Sequence, residues 1–495
     1  MLMPAADKAI IARRKEFVAE LRKIVPGEGV IDDDASLAAY ECDGLMAYRQ
    51  RPLAVALPET EAQVSQVLGY CHREGVKVVP RGSGTSLSGG ALPLEDGIVM
   101  AMGKFNKILE VDYANRCVVV QPCVTNAAVT ERVTTEGFYY APDPSSQIIC
   151  SIGGNVAENA GGVHCLKYGT TSNNILGLQM VLMDGSVVRM GGKHLDAQSL
   201  DMLGLVCGSE GLLGVVTEIT VRVLRTPETQ RALLLGFSDV ESAGGCVAKV
   251  IAEGVVPAAM EIMDRTAIHA AEAFVKVGYP LDVEALLLIE FDGSPVEVDH
   301  LIAMVNEIAK DAGAVSSQQS NSEEERKNFW AGRKAAFPAI GKISPDYYCM
   351  DGTIPRNKLP QALREISALS DKFGLEVANV FHAGDGNLHP MVLYNADKDG
   401  DLEKAEQFGA AILTLCVELG GVLTGEHGVG VEKRDLMEVQ FTAADLDQQQ
   451  RVKCVFDDQG LLNPGKVFPK LRRCAEGGKM HVHHGELRFP EIERY

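Results

Sequence analysis

The sequence lacks the features that would assign it to a nucleic-acid-binding, membrane-spanning or metal-cluster protein. Its 47 Lys and Arg residues are outnumbered by 67 Asp and Glu residues, and the net charge of −20 disfavours a nucleic-acid partner. No apolar run reaches the roughly 18 residues of a membrane span. The first residues lack the apolar block of a secretory signal. The 12 cysteines form no CxxC pair, which disfavours an iron–sulfur cluster and is typical of reduced thiols in a cytosolic protein.

The length of 495 residues predicts two or three domains. Residues 1–50 form a polar, helical N-terminal arm in this interpretation. Residues 51–229 are rich in short strands, and their first strand–helix–strand segment predicts a βαβ unit. Residues 230–469 alternate strands and helices, which predicts a second α/β domain with helices on one side of its sheet. Residues 470–495 form a tail.

Glycine is abundant, with 50 residues or about 10% of the chain, against a typical value of about 7%. The glycines lie in dense blocks between strand-like runs, unlike the glycines of a Gly/Ser linker. The blocks are RGSGTSLSGG (81–90), SIGGNVAENAGG (151–162), GSEGLLG (208–214), HAGDGNLHP (382–390) and GGVLTGEHGVG (420–430).

The block at 81–90 directly follows a strand, so its backbone N–H groups could point at a diphosphate. It is neither a GxGxxG turn that opens a helix nor a Walker A loop, and a glycine-rich hairpin is the alternative interpretation. The small residues and amides of 151–162 suit a segment that lies along an extended ligand. Together the first three blocks favour a large phosphate-bearing cofactor over tight strand packing.

A second group of residues is typical of a metal site. His382 and His389 flank a Gly-Asp-Gly turn, and the TGEHG turn adds Glu426 and His427. Two histidines and a carboxylate suit zinc, manganese or iron. The alternative is that these histidines are structural, because no HExxH spacing supports a metal.

Longer motifs carry a resemblance to a known family. PRGSGTSLSGG, APDPSSQIICSIGGNVAENAGG and GSEGLLGVVTEIT resemble the FAD-binding domain of the vanillyl-alcohol-oxidase/p-cresol-methylhydroxylase (PCMH) flavoproteins. HAGDGNLHP, TGEHGVG and GLLNPGK resemble the FAD-linked oxidase C-terminal domain. FWAGRKAAFPAIGKISPDYYCMDGTIPR is similar to the flavin subunits of bacterial glycolate oxidases. The resemblance implies an α+β fold. A PCMH-type FAD-binding domain of two α/β subdomains covers 51–229. An antiparallel-sheet substrate or cap domain with a C-terminal helical segment covers 230–469.

The resemblance also implies which residues hold FAD. The turn after Pro80 would cradle the diphosphate, the block at 151–162 would line the flavin, and the block at 208–214 would lie under the adenine and ribose. Relatives with covalent FAD carry a histidine in the first loop, where this chain has Thr85 and Ser86, so we expect non-covalent FAD. The implied cofactor-binding residues are Pro80, Arg81, Gly82, Ser83, Gly84, Thr85, Gly153, Gly154, Asn155, Asn159, Gly162, Glu210, Gly211, Gly214 and Asn463.

For catalysis, the resemblance implies that His382, His389 and Glu426 bind a divalent metal and that His427 is the base and contacts substrate. Oxidation of a 2-hydroxy acid removes the hydroxyl proton and moves a hydride from C2 to flavin N5, and a histidine can take that proton at neutral pH. Arg333 would bind the substrate carboxylate; a solvated helix charge is the alternative. Cys349 or a neighbour stands where relatives have a lysine, which favours a small substrate without a second carboxylate.

These inferences predict an FAD-dependent oxidation of glycolate and D-lactate. The chain would pass electrons to a second FAD-domain subunit and an iron–sulfur subunit, in the cytoplasm or peripherally at the inner face of the cell membrane. One alternative is a stand-alone D-lactate or D-2-hydroxyacid dehydrogenase that reduces quinone or cytochrome. Another is a non-catalytic flavin-domain scaffold. The tail motif MHVHHG is interpreted as a surface that packs on a partner, with a metal site as the alternative.

Overall fold

The first sheet of the protein carries the βαβ unit. The structure is a computed structural model that describes residues 3–194 and 200–469. Helix Glu61–Glu74 connects two strands that both run parallel to a third strand between them, which confirms the βαβ prediction. The strand order is Val30–Ile31, Ala54–Ala56, Gly97–Ala101 and Lys77–Arg81.

The N-terminal segment is part of this first unit. Helix Arg14–Ile24 buries Phe17, Val18 and Leu21 in the same apolar cluster as the inner face of helix Glu61–Glu74. Strand Val30–Ile31 also pairs with the first sheet. The polar face predicted for residues 1–50 is therefore the outer side of a packed layer.

A second sheet is antiparallel and completes the first half of the chain. Its strand order is Ile108–Asp112, Cys117–Val120, Val215–Arg222, Ile175–Val181 and Val187–Gly191. Phe138–Tyr139 and Leu224–Arg225 form a separate two-stranded ladder. The α-helices described in this half are Lys8–Ala12, Arg14–Ile24, Asp34–Leu37, Glu61–Glu74, Asn126–Val133, Ile152–Glu158, Cys165–Tyr168 and Met202–Val206.

The second half is built on one large antiparallel sheet. Its strand order is Ala314–Gln319, Thr229–Phe237, Ala285–Gly293, Ala259–Asp264, Val377–His382, Asn387–Tyr394 and Asp346–Cys349, with Gly352–Thr353 also paired to Asn387–Tyr394. Two sheets followed by this antiparallel sheet confirm the predicted α+β architecture. The described α-helices of this half are Val240–Ala252, Arg265–Val275, Pro295–Asp311, Glu323–Ile340, Leu359–Phe373, Asp401–Glu418, Met437–Gln440 and Ala443–Phe456.

Helices cover both faces of the large sheet. Leu235 and Leu287 point into one apolar cluster with helix Val240–Ala252, whereas Leu234 and Leu286 point into another with helix Glu323–Ile340. The expectation of helices on one side is therefore wrong. The sequence explains it, since strands such as ALLLGF are apolar at every position and need cover on both faces.

Every described helix is too short or too polar to cross a lipid bilayer.

Ten cysteines are free thiols, but Cys454 is disulfide-bonded, so the expectation of reduced thiols is wrong there. The tail from 470 to 495, with His481, His483 and His484, lies outside the described residues.

Candidate active site

A cavity of about 500 Å³ lies where the glycine-rich loops meet the TGEHG turn. Glu426 and His427 line this cavity together with most of the residues expected to bind the cofactor. Those cofactor residues are Pro80, Arg81, Gly82, Ser83, Gly84, Thr85, Gly153, Gly154, Asn155, Glu210, Gly211 and Gly214. The expected cofactor loops and catalytic turn therefore share one cavity.

The glycines permit close approach of the blocks at 81–90 and 151–162. A side chain at Gly82 would place its Cβ 2.5 Å from the Ser151 Oγ. That hydroxyl accepts the N–H of Gly154 and caps the helix Ile152–Glu158. Gly84 has φ +69°, a left-handed conformation that glycine adopts without strain. The loops thus present backbone to the cavity.

Three expected cofactor residues do not line the cavity. Asn159 ends its helix in a left-handed conformation with φ +53°, and Gly162 has φ +155°. The Asn463 side-chain amide donates to the carbonyl oxygens of Gly90 at 3.0 Å and Glu210 at 2.7 Å. These residues shape the loops that surround the cavity.

Glu210 connects the glycine-rich block at 208–214 to the TGEHGVG segment. Its carboxylate accepts the backbone N–H groups of Val429 and Gly430, each at 2.7 Å. Burial raises the pKa of Glu210 above its usual range. The GVG segment after His427 is thus fixed by a residue more than 200 positions earlier.

The two histidines of HAGDGNLHP are brought together by a β-hairpin. In its register His382 is opposite Asn387, and His389 is opposite Val380. Residues two apart on a strand, and residues directly opposite across the ladder, share one face. His382 and His389 therefore point the same way, with ring centroids 5.0 Å apart.

Glu426 completes a three-residue donor set with these histidines. Its Oε1 lies 3.5 Å from the His382 Nε2 and 3.1 Å from the His389 Nε2. The other ring nitrogen of His389 lies 3.4 Å from the Met350 carbonyl oxygen. Burial acts to lower the pKa of His382, but the carboxylates of Glu261 and Glu426 outweigh it and raise that pKa. Two Nε2 atoms converging on a carboxylate fit a divalent cation.

His427 lies beside this set. Its ring is stacked on that of His389, with centroids 5.2 Å apart and planes at 21°, and its Nδ1 has no hydrogen-bond partner. Burial lowers the pKa of His427 to about 4, so the ring is neutral at neutral pH. A neutral imidazole that lines the cavity can accept a proton.

Asp351 organises the TGEHG turn and was not predicted from the sequence. Its carboxylate accepts backbone N–H groups from Gly425 at 3.0 Å and from His427 at 2.9 Å. It also accepts the hydroxyl of Thr424 at 2.6 Å and pairs with the buried Lys433 Nζ at 3.1 Å. Burial would raise the pKa of Asp351, but Lys433 lowers it below its usual range. The signal in the sequence was one acidic residue, in CMDGT, directly after a strand.

Arg333 is buried close to this region, and its guanidinium is paired with a carboxylate. Its Nε and Nη2 lie 2.8 and 2.7 Å from the Glu261 Oε2. The ring of Phe337, one turn later on the same helix, packs on His389 at 6.3 Å. The solvated-charge alternative for Arg333 is therefore wrong. Glu261 was also missed, although a carboxylate flanked by apolar residues in the strand AMEIMD was a signal.

Unpaired polar atoms test whether the cavity fits a polar ligand. A buried polar atom without a partner is costly and is rare in folded proteins. Four such atoms belong to residues that line the cavity: Asn155 Nδ2, Glu158 Oε2, Glu426 Oε2 and His427 Nδ1. Together with the glycine cradle, they fit FAD and a metal-bound substrate. Glu158 was not among the residues expected from the sequence.

Comparisons with known proteins agree with this geometry. The family model described as "FAD binding domain" matches residues 52–191, and the one described as "FAD linked oxidases, C-terminal domain" matches residues 226–467. The "Glycolate oxidase subunit GlcD" of Escherichia coli (strain K12) is 52% identical over 97% of both chains. The "D-lactate dehydrogenase" of Anaerostipes hadrus is 30% identical over 92% of this chain and 98% of its own. The crystal structure of p-cresol methylhydroxylase aligns with a TM-score of 0.78 at 15% identity, covering 94% of this chain and 98% of the other.

The chain belongs to the FAD-linked oxidase family and has the PCMH-type fold. The resemblance to this family that the sequence motifs indicated is confirmed. Within this family the protein is an FAD-dependent hydroxyacid dehydrogenase.

Proposed function

We propose that this enzyme oxidises glycolate to glyoxylate, and D-lactate to pyruvate, with His427 as the base. The observation that carries the proposal is the convergence of His382, His389, Glu426 and His427 beside a glycine-lined cavity. The similarity to a glycolate oxidase subunit and to a D-lactate dehydrogenase supports the choice of substrates.

The proposed mechanism assigns one task to each group. Bound FAD supplies the hydride acceptor, and a divalent cation held by His382, His389 and Glu426 supplies Lewis acidity. The His427 imidazole takes the hydroxyl proton, since its Nδ1 is unpaired and its ring is neutral. Arg333 would bind the substrate carboxylate, and its helix also carries Phe337, whose ring packs on His389. The hydride leaves C2 as the C2–O bond becomes a carbonyl.

A small substrate is supported by the surroundings of the histidines. The buried cations Arg333 and Lys433 are each paired with a carboxylate. Cys349, the residue expected where relatives carry a lysine, contributes a half-buried thiol that packs in the same apolar cluster as Phe337. A second substrate carboxylate near Cys349 would find no opposite charge on that side chain. Burying this carboxylate without a counter-ion would be costly.

The first prediction concerns substrate selection. We expect glycolate and D-lactate to bleach the flavin absorbance anaerobically without NAD, and D-2-hydroxyglutarate to do so more slowly by about tenfold or more, since each 1.36 kcal/mol of lost transition-state stabilisation is tenfold in rate. Stopped-flow absorbance with metal analysis of the same sample measures this. L-Lactate is the stereochemical control, and faster reduction by D-2-hydroxyglutarate than by glycolate would contradict the assignment.

The second prediction tests the cofactor cradle. Gly154 lines the cavity, and its Cβ would meet only the Ser151 Oγ, at 3.2 Å. Gly154→Val should therefore direct its methyl groups into the FAD space. Overpacking costs about 1–3 kcal/mol, which corresponds to a loss of FAD affinity of about 5- to 150-fold. Titration of the apoprotein with FAD measures this affinity.

The control for this variant is Gly245→Val. Gly245 is also a helical glycine and has no atom within 4 Å of its Cβ position. This control should leave FAD affinity unchanged, while both substitutions carry the same β-branched cost in a helix. Equal FAD affinity for Gly154→Val and the wild type would contradict the cradle.

We further propose that FAD is bound non-covalently and that its electrons leave to partner subunits at the cytoplasmic face of the membrane. The histidine that lines the described part of the cavity is His427, which the proposed mechanism needs as a base. The Escherichia coli relative is named as a subunit of glycolate oxidase, which supports an assembly with other chains. We propose that these are a second FAD-domain chain and an iron–sulfur chain. Acceptor assays with the isolated chain and with the assembly test it.

A further inference from the structure

Glu261 is a fully buried carboxylate between two groups of the proposed active site. It lies on strand Ala259–Asp264 and is 1% exposed. The neighbouring strand pairs Phe381 with Ile262, so the register places Glu261 beside His382. Burying a charge is costly unless it is paired and hydrogen-bonded, and Glu261 has partners for both of its oxygens.

The two oxygens are divided between two partners. Oε1 lies 2.7 Å from the His382 Nδ1, whereas Oε2 receives the Nε and Nη2 of Arg333 at 2.8 and 2.7 Å. A carboxylate that accepts the Nδ1 proton leaves the Nε2 lone pair of that histidine free for a metal and fixes the orientation of the ring. The same carboxylate holds the guanidinium by two of its nitrogens.

We propose that Glu261 is a positioning residue that fixes the metal-binding His382 and the substrate-binding Arg333 as one unit. The inference rests on the proposed function, because it requires a metal at His382 and a substrate carboxylate at Arg333. One side chain then sets the distance between the metal and the carboxylate-binding group. The substrate must bridge that distance with its hydroxyl and its carboxylate.

The protein contains a matched arrangement on the next strand. Glu290 is also fully buried. Its carboxylate lies 3.1 Å from the His164 Nε2 and 2.6 Å from the Arg326 Nη1. Arg326 precedes Arg333 by two turns of the same helix. Glu290 thus shares the burial and the histidine and arginine partners of Glu261, and it also accepts the indole N–H of Trp330 at 2.5 Å. Its histidine is not in the metal donor set.

This similarity gives the experiment its control. We expect Glu261→Gln to weaken Zn²⁺ binding by the metal-free protein about 10- to 100-fold, the range for lost outer-shell partners. The same variant should raise the KM for glycolate. Glu290→Gln should leave Zn²⁺ affinity and KM at wild-type values. Zn²⁺ titration by calorimetry, steady-state kinetics and unfolding midpoints of all three proteins measure this.

The unfolding midpoints separate positioning from structural damage, because both variants lose one buried charge. Equal Zn²⁺ affinity and equal KM for Glu261→Gln and the wild type would overturn the coupling while leaving the proposed function intact. Equal losses in both variants would also overturn it, since the effect would then be structural. If the wild type bound neither Zn²⁺ nor Mn²⁺, the metal site and the coupling would both be overturned.

Discussion

Replacing His427 with alanine should slow flavin reduction by glycolate about 10²- to 10⁴-fold, the usual contribution of a general base. The substitution removes the neutral imidazole that stacks on His389 and lines the cavity. The backbone of residue 427 should stay in place, because its N–H donates to Asp351 and its carbonyl accepts from Ser88. FAD binding should therefore survive. Anaerobic stopped-flow reduction and the flavin content of the purified variant measure the two effects.

His269→Ala is the control for this substitution. His269 is exposed and contacts the carbonyl oxygen of Leu281. It is not among the residues that line the cavity. It should retain both the rate and the flavin. Reduction of the His427 variant at the wild-type rate would contradict the assignment of the base. Loss of FAD together with the rate would instead assign His427 to the cofactor cradle.

Local patterns were sufficient for much of the fold. A strand, an amphipathic helix and a second strand predicted the βαβ unit, because the helix Glu61–Glu74 carries its apolar residues on one face. The side on which helices cover the large sheet was predicted wrongly. The all-apolar strand ALLLGF was the local signal for cover on both faces. The strand order could not be predicted locally, because Thr229–Phe237 is adjacent to Ala285–Gly293 and Ala314–Gln319 only in the folded protein.

Part of the candidate site could also be predicted from local patterns, and part could not. His382 and His389 could be paired from sequence because a short hairpin fixes their relation. Glu426 and His427 could be added because glycines mark their turn. Glu261 could not be assigned, since its partners His382 and Arg333 are 121 and 72 residues away. Such contacts follow from sheet register and helix packing, which a single motif does not encode.

We expect the largest effect on stability from Asp351→Ala, which would remove the buried carboxylate. The substitution would remove the nearer of two carboxylates beside the buried Lys433 ammonium and leave it with the Glu432 Oε2 at 3.7 Å; breaking a buried pair costs about 3–5 kcal/mol. It would also remove the acceptor of the His427 N–H and the side-chain acceptor of the Gly425 N–H, which keeps the backbone carbonyl oxygen of residue 351 at 3.2 Å. We therefore expect a lower unfolding midpoint and slower flavin reduction, because the imidazole of His427 would lose its fixed position. Urea unfolding and stopped-flow reduction measure these two consequences.

A second variant separates charge from position. Asp351→Asn combined with Lys433→Met removes both members of the closer ion pair, so it should be more stable than Asp351→Asn alone, where Lys433 keeps the more distant Glu432 carboxylate but loses its nearer one. Flavin reduction should stay slow in the double variant, because a neutral amide accepts the N–H groups of the catalytic turn more weakly than a carboxylate does. Recovery of the wild-type rate with recovered stability would show that Asp351 serves only to neutralise Lys433. Recovery of stability without the rate would show that this carboxylate holds the catalytic base in place.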